Sequence, residues 1–243
     1  MTRHLTLFLF LILFKGASAQ YTDSTSRYVG YTSSGSVNKT NDGDSYLLNN
    51  MVKFGLRKKS ISLNASNSWI YGKQDQDLTN NDFSSTVDFN LYKTFPHFFY
   101  WGLANYNTSY SLKINNQLLA GLGAAYNLID KSNTLLNISN GILYDKSDLY
   151  LSDTIRDVYH TFRNSFRLLF RLNIKNTFVL EGSGFLQNSL KEKSDYIVRT
   201  NTSLSVKLAK WLNFTTAYTY NKYNRTSRTN SLLNYGFTVE RYF

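Results

Sequence analysis

Three arginines spaced four residues apart, Arg163, Arg167 and Arg171, are the side chains of this sequence best suited to bind a charged solute. On a β-strand, residues two and four apart lie on one face, about 7 and 13 Å along the strand. Guanidinium groups arranged in this way suit carboxylate or phosphate groups. If the segment is a strand, this arginine row predicts contact with an anionic solute.

Evidence for catalytic chemistry is weaker. Asn137-Ile-Ser139-Asn140-Gly141 resembles the serine motif of outer-membrane hydrolases, but Asn137 stands where their catalytic histidine belongs. Without an imidazole, Ser139 has no base to accept its proton. His97 follows a proline in a tight turn, and His160 lies near Asp153 and Asp157 at a spacing compatible with acid–base chemistry. With no His/Cys cluster, the sequence predicts no enzyme, no cofactor and no metal site.

The arginine row belongs to a repeating pattern of apolar and polar residues. In the segment 160–173, Phe162, Phe166 and Leu168 alternate with Arg163 and Arg167. This period of two predicts a strand whose faces meet different media. The pattern recurs to the end of the chain and predicts twelve strands, at 27–37, 47–57, 60–71, 82–92, 98–109, 116–128, 134–145, 160–173, 177–189, 196–208, 212–224 and 230–243.

These strands predict an all-β fold, a transmembrane antiparallel up-and-down β-barrel of about 12 strands with both termini periplasmic. Each segment is near the length of about 9 to 11 residues with which a tilted strand crosses a bilayer. Tight turns alternate with generally longer polar connections, as in outer-membrane barrels. The alternative is a soluble β-sandwich with ordinary core aromatics, and counts of 10 to 14 strands fit the pattern.

The first nineteen residues predict a cleaved secretory signal peptide. Arg3 precedes an apolar run from Leu5 to Phe14, and Ala17-Ser-Ala19 forms a small-residue cleavage site. The apolar run is too short to cross a bilayer, which favours removal over a membrane anchor. Residues 20–243 then form a single outer-membrane barrel domain, exported to the Gram-negative cell outer membrane.

The last strand carries a pattern that resembles the C-terminal assembly signal of outer-membrane barrels. Tyr235, Phe237, Val239 and the terminal Phe243 share one face, interrupted by Arg241. The resemblance implies recognition by the barrel-assembly machinery as a partner. It also places the C-terminus in the periplasm.

Composition narrows the partners. The formal net charge is +11, and +9 once the two charges Arg3 and Lys15 of the signal peptide are removed. Such a charge suits nucleic acid, lipopolysaccharide phosphates or a basic pore. Because the sequence has no nucleic-acid motif and is exported, we expect outer-membrane lipid and lipopolysaccharide instead. Aromatic residues mark the expected membrane interfaces: Trp69 and Tyr71 at one rim, and Tyr100, Trp101, Trp211, Tyr242 and Phe243 at the other.

Several stretches resemble a known family over essentially the whole mature chain. They are Leu47-Leu-Asn-Asn-Met-Val-Lys-Phe-Gly55, Asn80-Asn-Asp-Phe83, Asn90-Leu-Tyr-Lys-Thr-Phe-Pro-His-Phe98, Ala120-Gly-Leu-Gly-Ala-Ala-Tyr-Asn127 and Phe162-Arg-Asn-Ser-Phe-Arg167. The chain is similar to the uncharacterised salt-induced outer membrane proteins (domain of unknown function 481), in a Bacteroidetes-type version. The resemblance implies location and fold, and it carries over no catalytic residue.

The alternation also predicts which charged side chains line the lumen. Besides Asp145, they are Lys53, Arg57, Asp88, Arg163, Arg167, Arg171, Glu181, Arg199, Lys207 and Glu240. Seven bases and four acids leave an excess of three positive charges, which favours anions. We therefore predict a small pore for anions or small solutes. The alternatives are a closed structural or envelope-stress barrel that acts through its external loops, with the arginines paired to acids, and a lipid-modifying barrel enzyme.

Overall fold

The computed structural model describes residues 27–40, 43–152 and 155–243, so the predicted signal peptide lies outside the described residues. The described chain forms twelve β-strands. They are β1 (Arg27–Thr40), β2 (Gly43–Lys58), β3 (Ile61–Gln74), β4 (Asp77–Phe95), β5 (Phe98–Ser109), β6 (Ile114–Lys131), β7 (Thr134–Tyr150), β8 (Arg156–Ile174), β9 (Phe178–Ser189), β10 (Tyr196–Lys207), β11 (Leu212–Tyr223) and β12 (Arg228–Tyr242). The described residues contain no helix that could span a membrane.

The sheet closes on itself. Each strand pairs antiparallel with the next, and β1 pairs with β12 in a register that places Tyr31 opposite Val239 and Ser33 opposite Phe237. Closure gives the backbone groups of both terminal strands partners, which a strand in lipid requires because the bilayer core offers no water. The predicted twelve-stranded antiparallel barrel is confirmed.

Several strands are longer than predicted. β4 and β8 each contain 19 residues, and β3 and β4 are joined by Asp75 and Gln76 alone. Both of these residues have positive φ, as a type I′ hairpin turn requires. The sequence predicted a longer loop at 72–81 and another at 38–46, and both predictions were wrong. Strand pairing continues there through polar residues, because beyond the apolar band neither face needs apolar side chains.

The two faces of the barrel differ as the alternation predicts. Large apolar side chains such as Phe89, Phe166 and Phe237 are exposed on the outer face. They pair across strands with one another, as Phe214 does with Phe237 at 5.6 Å between ring centroids. The inner face is rich in asparagine, serine, threonine and charged residues, the pattern of a transmembrane barrel.

The sequence predicts Trp101 at the membrane interface, and this prediction is wrong. It faces the lumen with 8% of its surface exposed, while Tyr100 faces outward. Its indole covers Gly123 and Gly141, where an added Cβ would lie 2.5 Å from its Cζ2 atom. Its Nε1 donates to the carbonyl of Ala124 at 3.3 Å. The sequence of β5 is apolar in both parities, so alternation alone could not orient this residue.

Tyr242 also departs from its predicted interface position. It pairs with Tyr28 on the inner face, with 4.9 Å between ring centroids. Trp69 and Phe243 are exposed on the outer face, with about half of each residue accessible. Trp211 lies in the connection between β10 and β11 and is 50% exposed.

The barrel has two different ends. The terminal end, named for the first and last strands, carries the start of β1, the end of β12 and the connections 59–60, 96–97, 132–133, 175–177 and 208–211. The loop end carries the connections 75–76, 110–113, 151–155, 190–195 and 224–227, and those from 110–113 onward have four to six residues. The prediction of longer connections at this end therefore holds from β5 onward.

The facing of adjacent residues can be tested by cysteine labelling, because the sequence contains no cysteine. Val52 is exposed on the outer face, and Lys53 is exposed on the inner face. In lipid vesicles we expect Lys53→Cys to react with a charged, water-soluble methanethiosulfonate. We expect Val52→Cys to react only with a lipid-soluble maleimide, and the reversed pattern would contradict the register.

Candidate functional site

The register places all ten charged residues of the predicted lumen lining on the inner face, together with Asp145. Their exposure differs widely, however. Lys53, Arg57 and Arg171 are exposed, and Arg163 is completely buried. The others are partly buried: Asp88, Arg167, Glu181, Arg199, Lys207 and Glu240. The arginine row is therefore not one uniform surface.

Arg163 is the centre of a buried ionic cluster. Its Nε donates to Asp145 Oδ2 at 2.5 Å, and its Nη2 donates to both carboxylate oxygens of Asp195 at 2.8 and 2.9 Å. Nη2 also donates to the hydroxyl of Tyr159 at 2.9 Å. Arg163 and Asp145 have no exposed side-chain surface. A buried guanidinium is tolerable only with such partners, so this arginine cannot receive a passing solute.

The loop end is closed further by an ion pair over this cluster. Arg225 Nε donates to Asp157 Oδ2 at 2.5 Å, and the guanidinium lies 3.9 Å from the ring centroid of Tyr159. Its Nη1 lies 3.5 Å from Asp195. The hydrogen bond to Asp157 raises the pKa of Arg225 above its usual value.

A second set of contacts crosses the lumen. Arg199 of β10 donates from Nη2 to Gln117 Oε1 at 3.0 Å and from Nη1 to Asn105 Oδ1 at 3.4 Å. Tyr223 of β11 donates to the same Gln117 oxygen at 2.9 Å and is also hydrogen-bonded to Arg199. Strands β10 and β6 are four positions apart around the barrel, so these bonds bridge facing walls.

The connection between β5 and β6 folds into the mouth above these contacts. Ser111 accepts a hydrogen bond from Asn230 of β12 at 2.7 Å and donates through its backbone and hydroxyl to Asp82 of β4. The neighbouring Leu112 packs into an apolar cluster. The cluster comprises Leu112, Ile114, Leu149, Ile197 and Tyr223, with Tyr159 against it. The loop-end half of the lumen is therefore filled on this side.

The terminal-end half is more open. Arg57 lies over the ring of Tyr92, 5.6 Å from its centroid, beside a cavity of about 150 Å³ that Leu56, Ser62 and Asn64 also line. Arg171 lies 3.9 Å from Glu181, with about half of each side chain exposed. Asp88 accepts from Asn64 at 2.8 Å. Cationic side chains therefore meet solvent mainly in this half.

The residues considered for catalysis do not come together. Ser139 faces the lumen with 4% of its surface exposed, whereas His160 is exposed on the outer face of β8. Asp157 faces inward to Arg225, so Asp157 and His160 do not meet, because residues three apart on a strand face opposite sides. His97 lies in a terminal-end turn, 3.9 Å from Asp130. No group of three metal-binding side chains occurs in the described ranges.

Two residues that contact the lumen arginines, Asp195 and Gln117, are not among the residues predicted from the alternation of the sequence. Asp195 lies in the connection between β9 and β10, and Gln117 is uncharged and was not singled out. Gln117 stood at an inward position of a predicted strand, so the same parity could have identified it. The contact of Asp195 with Arg163 could not be predicted from the sequence, because alternation does not orient the side chain of a loop residue.

The apolar residues of the predicted assembly signal all lie on the outer face. Tyr235 and Phe237 are each 53% exposed, Val239 is 46% and Phe243 is 50% exposed. They form an apolar stripe on β12 beside the closing pair with β1.

Comparisons with known proteins agree with this architecture. A family model described as "Protein of unknown function, DUF481" matches residues 34–240, which confirms the family resemblance. A comparison with curated proteins found no match. Solved structures with the same fold include the translocator domain of autotransporter NalP from Neisseria meningitidis, with a TM-score of 0.50 and 11% identity over 88% of this chain and 87% of that one.

Two further solved structures are a porin and a channel. The NanC porin has a TM-score of 0.52 and 9% identity, covering 88% of this chain and 99% of that one. An outer membrane channel from Pseudomonas putida F1 has a TM-score of 0.52 and 10% identity, covering 96% and 100%. At these identities the likeness shows the fold alone, that of an outer-membrane barrel.

The burial of Arg163 predicts a large difference between two arginines of the row. Arg163→Ala leaves the buried carboxylate of Asp145 without its cation and leaves Asp195 with only the longer contact to Arg225 at 3.5 Å. It should lower the free energy of unfolding by about 3–5 kcal/mol. Arg171→Ala removes an exposed pair and should cost less than about 1 kcal/mol. Urea unfolding in lipid vesicles, followed by the heat-dependent gel shift, measures both. Equal losses would contradict the buried cluster.

Proposed function

The chain belongs to the family of proteins of unknown function DUF481, and we propose that this member is a small outer-membrane pore for anions or small solutes. The observation that carries the proposal is the set of exposed cations on the inner face, Lys53, Arg57 and Arg171. A lumen lined with such groups lowers the energy of an anion relative to a cation. Twelve strands enclose more space than the small barrels of about eight strands that side chains fill.

In the proposed arrangement the terminal end faces the periplasm and the loop end faces outward. The signal peptide 1–19 directs export, and the barrel-assembly machinery recognises the stripe of Tyr235, Phe237, Val239 and Phe243. Exposure of this stripe on the outer face supports the recognition. Lys146 is exposed on the outer face near the loop end, which supports the proposed contact with lipopolysaccharide phosphates.

Passage requires movement in the loop-end half. The contacts that fill it are largely polar: Arg199 with Gln117, and Ser111 with Asn230. Such bonds can be exchanged for bonds to water at modest net cost. The pore is therefore closed in this conformation and opens when the 110–113 connection and the Arg199 side chain leave the lumen.

A second candidate is a permanently closed barrel that acts through its loop-end surface. The burial of Arg163 with Asp145 and Asp195 favours this candidate, because separating a buried ion pair costs free energy and the cluster therefore holds the loop end closed. A lipid-modifying enzyme receives no support from Ser139, which lies inside the lumen while His160 is on the outer face.

Single-channel recording in planar bilayers under a salt gradient separates the two candidates. The sample is refolded protein whose folding is verified by the gel shift on heating. We expect discrete conductance steps with a reversal potential biased toward anions. Folded protein that gives no steps over the full voltage range would reject the pore and leave the closed barrel.

Charge variants test the source of selectivity. Replacing Lys53, Arg57 and Arg171 together by glutamine should move the reversal potential most of the way to the value of an unselective pore. Lys58→Gln is the matched control. Lys58 is exposed at the barrel rim, and it faces outward because the adjacent residue Arg57 faces inward. An unchanged reversal potential in the triple variant would refute the role of these cations.

A further inference from the structure

Arg167 lies at mid-lumen with part of its guanidinium unsatisfied. Its Nε atom is buried and has no hydrogen-bond partner, and none of its nitrogens lies within 4.0 Å of a carboxylate of the described residues. Its guanidinium lies 5.9 Å from the ring centroid of Phe185 on the neighbouring strand. A buried donor of this kind costs free energy unless it meets an acceptor.

Ser139 presents a second unsatisfied group beside it. Its Oγ atom is buried without a partner, and its residue is 4% exposed. The register pairs Ser139 of β7 directly with Arg167 of β8. Residues paired in this way have Cβ atoms about 4.5–5.5 Å apart, so one small ligand can meet both side chains.

Orphaned donors are rare inside the described barrel, which makes this pair informative. Among its buried side-chain atoms without partners, the nitrogen and hydroxyl donors are Arg167 Nε, Ser139 Oγ and Asn234 Nδ2. Asn234 lies on β12. The other two occupy paired positions on the inner face, and one carries a full positive charge.

We propose that Arg167 and Ser139 form a binding site for one small monovalent anion, a halide or a single carboxylate group. The anion accepts hydrogen bonds from Arg167 Nε and Ser139 Oγ, and the ring of Phe185 covers the guanidinium face. The role of this site in transport rests on the proposed function. In the proposed pore, an anion bound here lies in the open half of the lumen, next to the filled loop-end half.

Asp88 sets the charge preference of this site. It interacts electrostatically with Arg167 from β4 and accepts hydrogen bonds from Asn64 at 2.8 Å and Asn90 at 3.4 Å. Its negative charge offsets part of the arginine charge. The site therefore favours a monovalent anion over phosphate or sulfate, and removal of the Asp88 charge strengthens anion binding.

Bromide provides the direct test, because its anomalous scattering locates it in crystals of the full barrel. In bromide-soaked crystals we expect a peak between Arg167 Nε and Ser139 Oγ. Arg167→Lys, which keeps the charge and removes Nε, should abolish the peak, and Ser139→Ala should weaken it. Asp88→Asn should raise its occupancy. Arg228 is an exposed arginine at the loop-end start of β12, and Arg228→Lys is the control that should leave the peak unchanged.

Absence of the peak in the wild type, or its persistence in Arg167→Lys, would overturn the site. Every variant is first shown to fold by its gel shift on heating. A solution readout uses the bromide dependence of the unfolding midpoint, which should be lost in Arg167→Lys and kept in Arg228→Lys. Neither measurement requires conduction. A bound bromide without channel activity would reject the pore and retain the site, whereas anion conduction without a bound bromide would reject only the site.

Discussion

The pairing of β1 with β12 is the constraint on which the rest of this structure depends. Inside a bilayer, an unpaired strand edge would leave a row of backbone donors and acceptors without partners. Closure removes both edges and fixes the order of all twelve strands. It also separates an outer face that meets lipid from an inner face that meets water or other side chains. Every later property of the molecule, including the position of its charges, follows from which face a residue occupies.

The inner face divides the barrel into two functional halves. Near the loop end, Arg163 is held by Asp145 and Asp195, and Arg199 bridges to Gln117 across the lumen. These charges and polar groups satisfy one another and contribute to a filled interior. Near the terminal end, Arg57 and Arg171 remain exposed, so they can interact with solutes. The same residue type thus serves structure in one half and is available for binding in the other.

Arg167 lies between these two situations. It is more buried than Arg171, yet it lacks the close carboxylates that surround Arg163. The burial of Arg167 and Ser139 gives their unsatisfied donors a larger effect than the same groups would have in water, since a low dielectric strengthens electrostatic interactions. In the proposed pore, selectivity depends on a few positions where desolvation and charge coincide, and the total number of basic residues matters less.

The sequence by itself indicated where the strands lie, a number close to twelve and the face of most strand residues, because alternation is a local property of neighbouring positions. It predicts an inward position for Arg163, Arg167 and Arg171, which share one face of β8, and it failed at Trp101, where both parities of β5 are apolar. Only the tertiary structure decided which arginine is buried. Asp195 reaches Arg163 from a loop, and Gln117 meets Arg199 from four strands away. Such contacts depend on the circumference of the closed barrel and on the fold of its loops, which no local periodicity encodes.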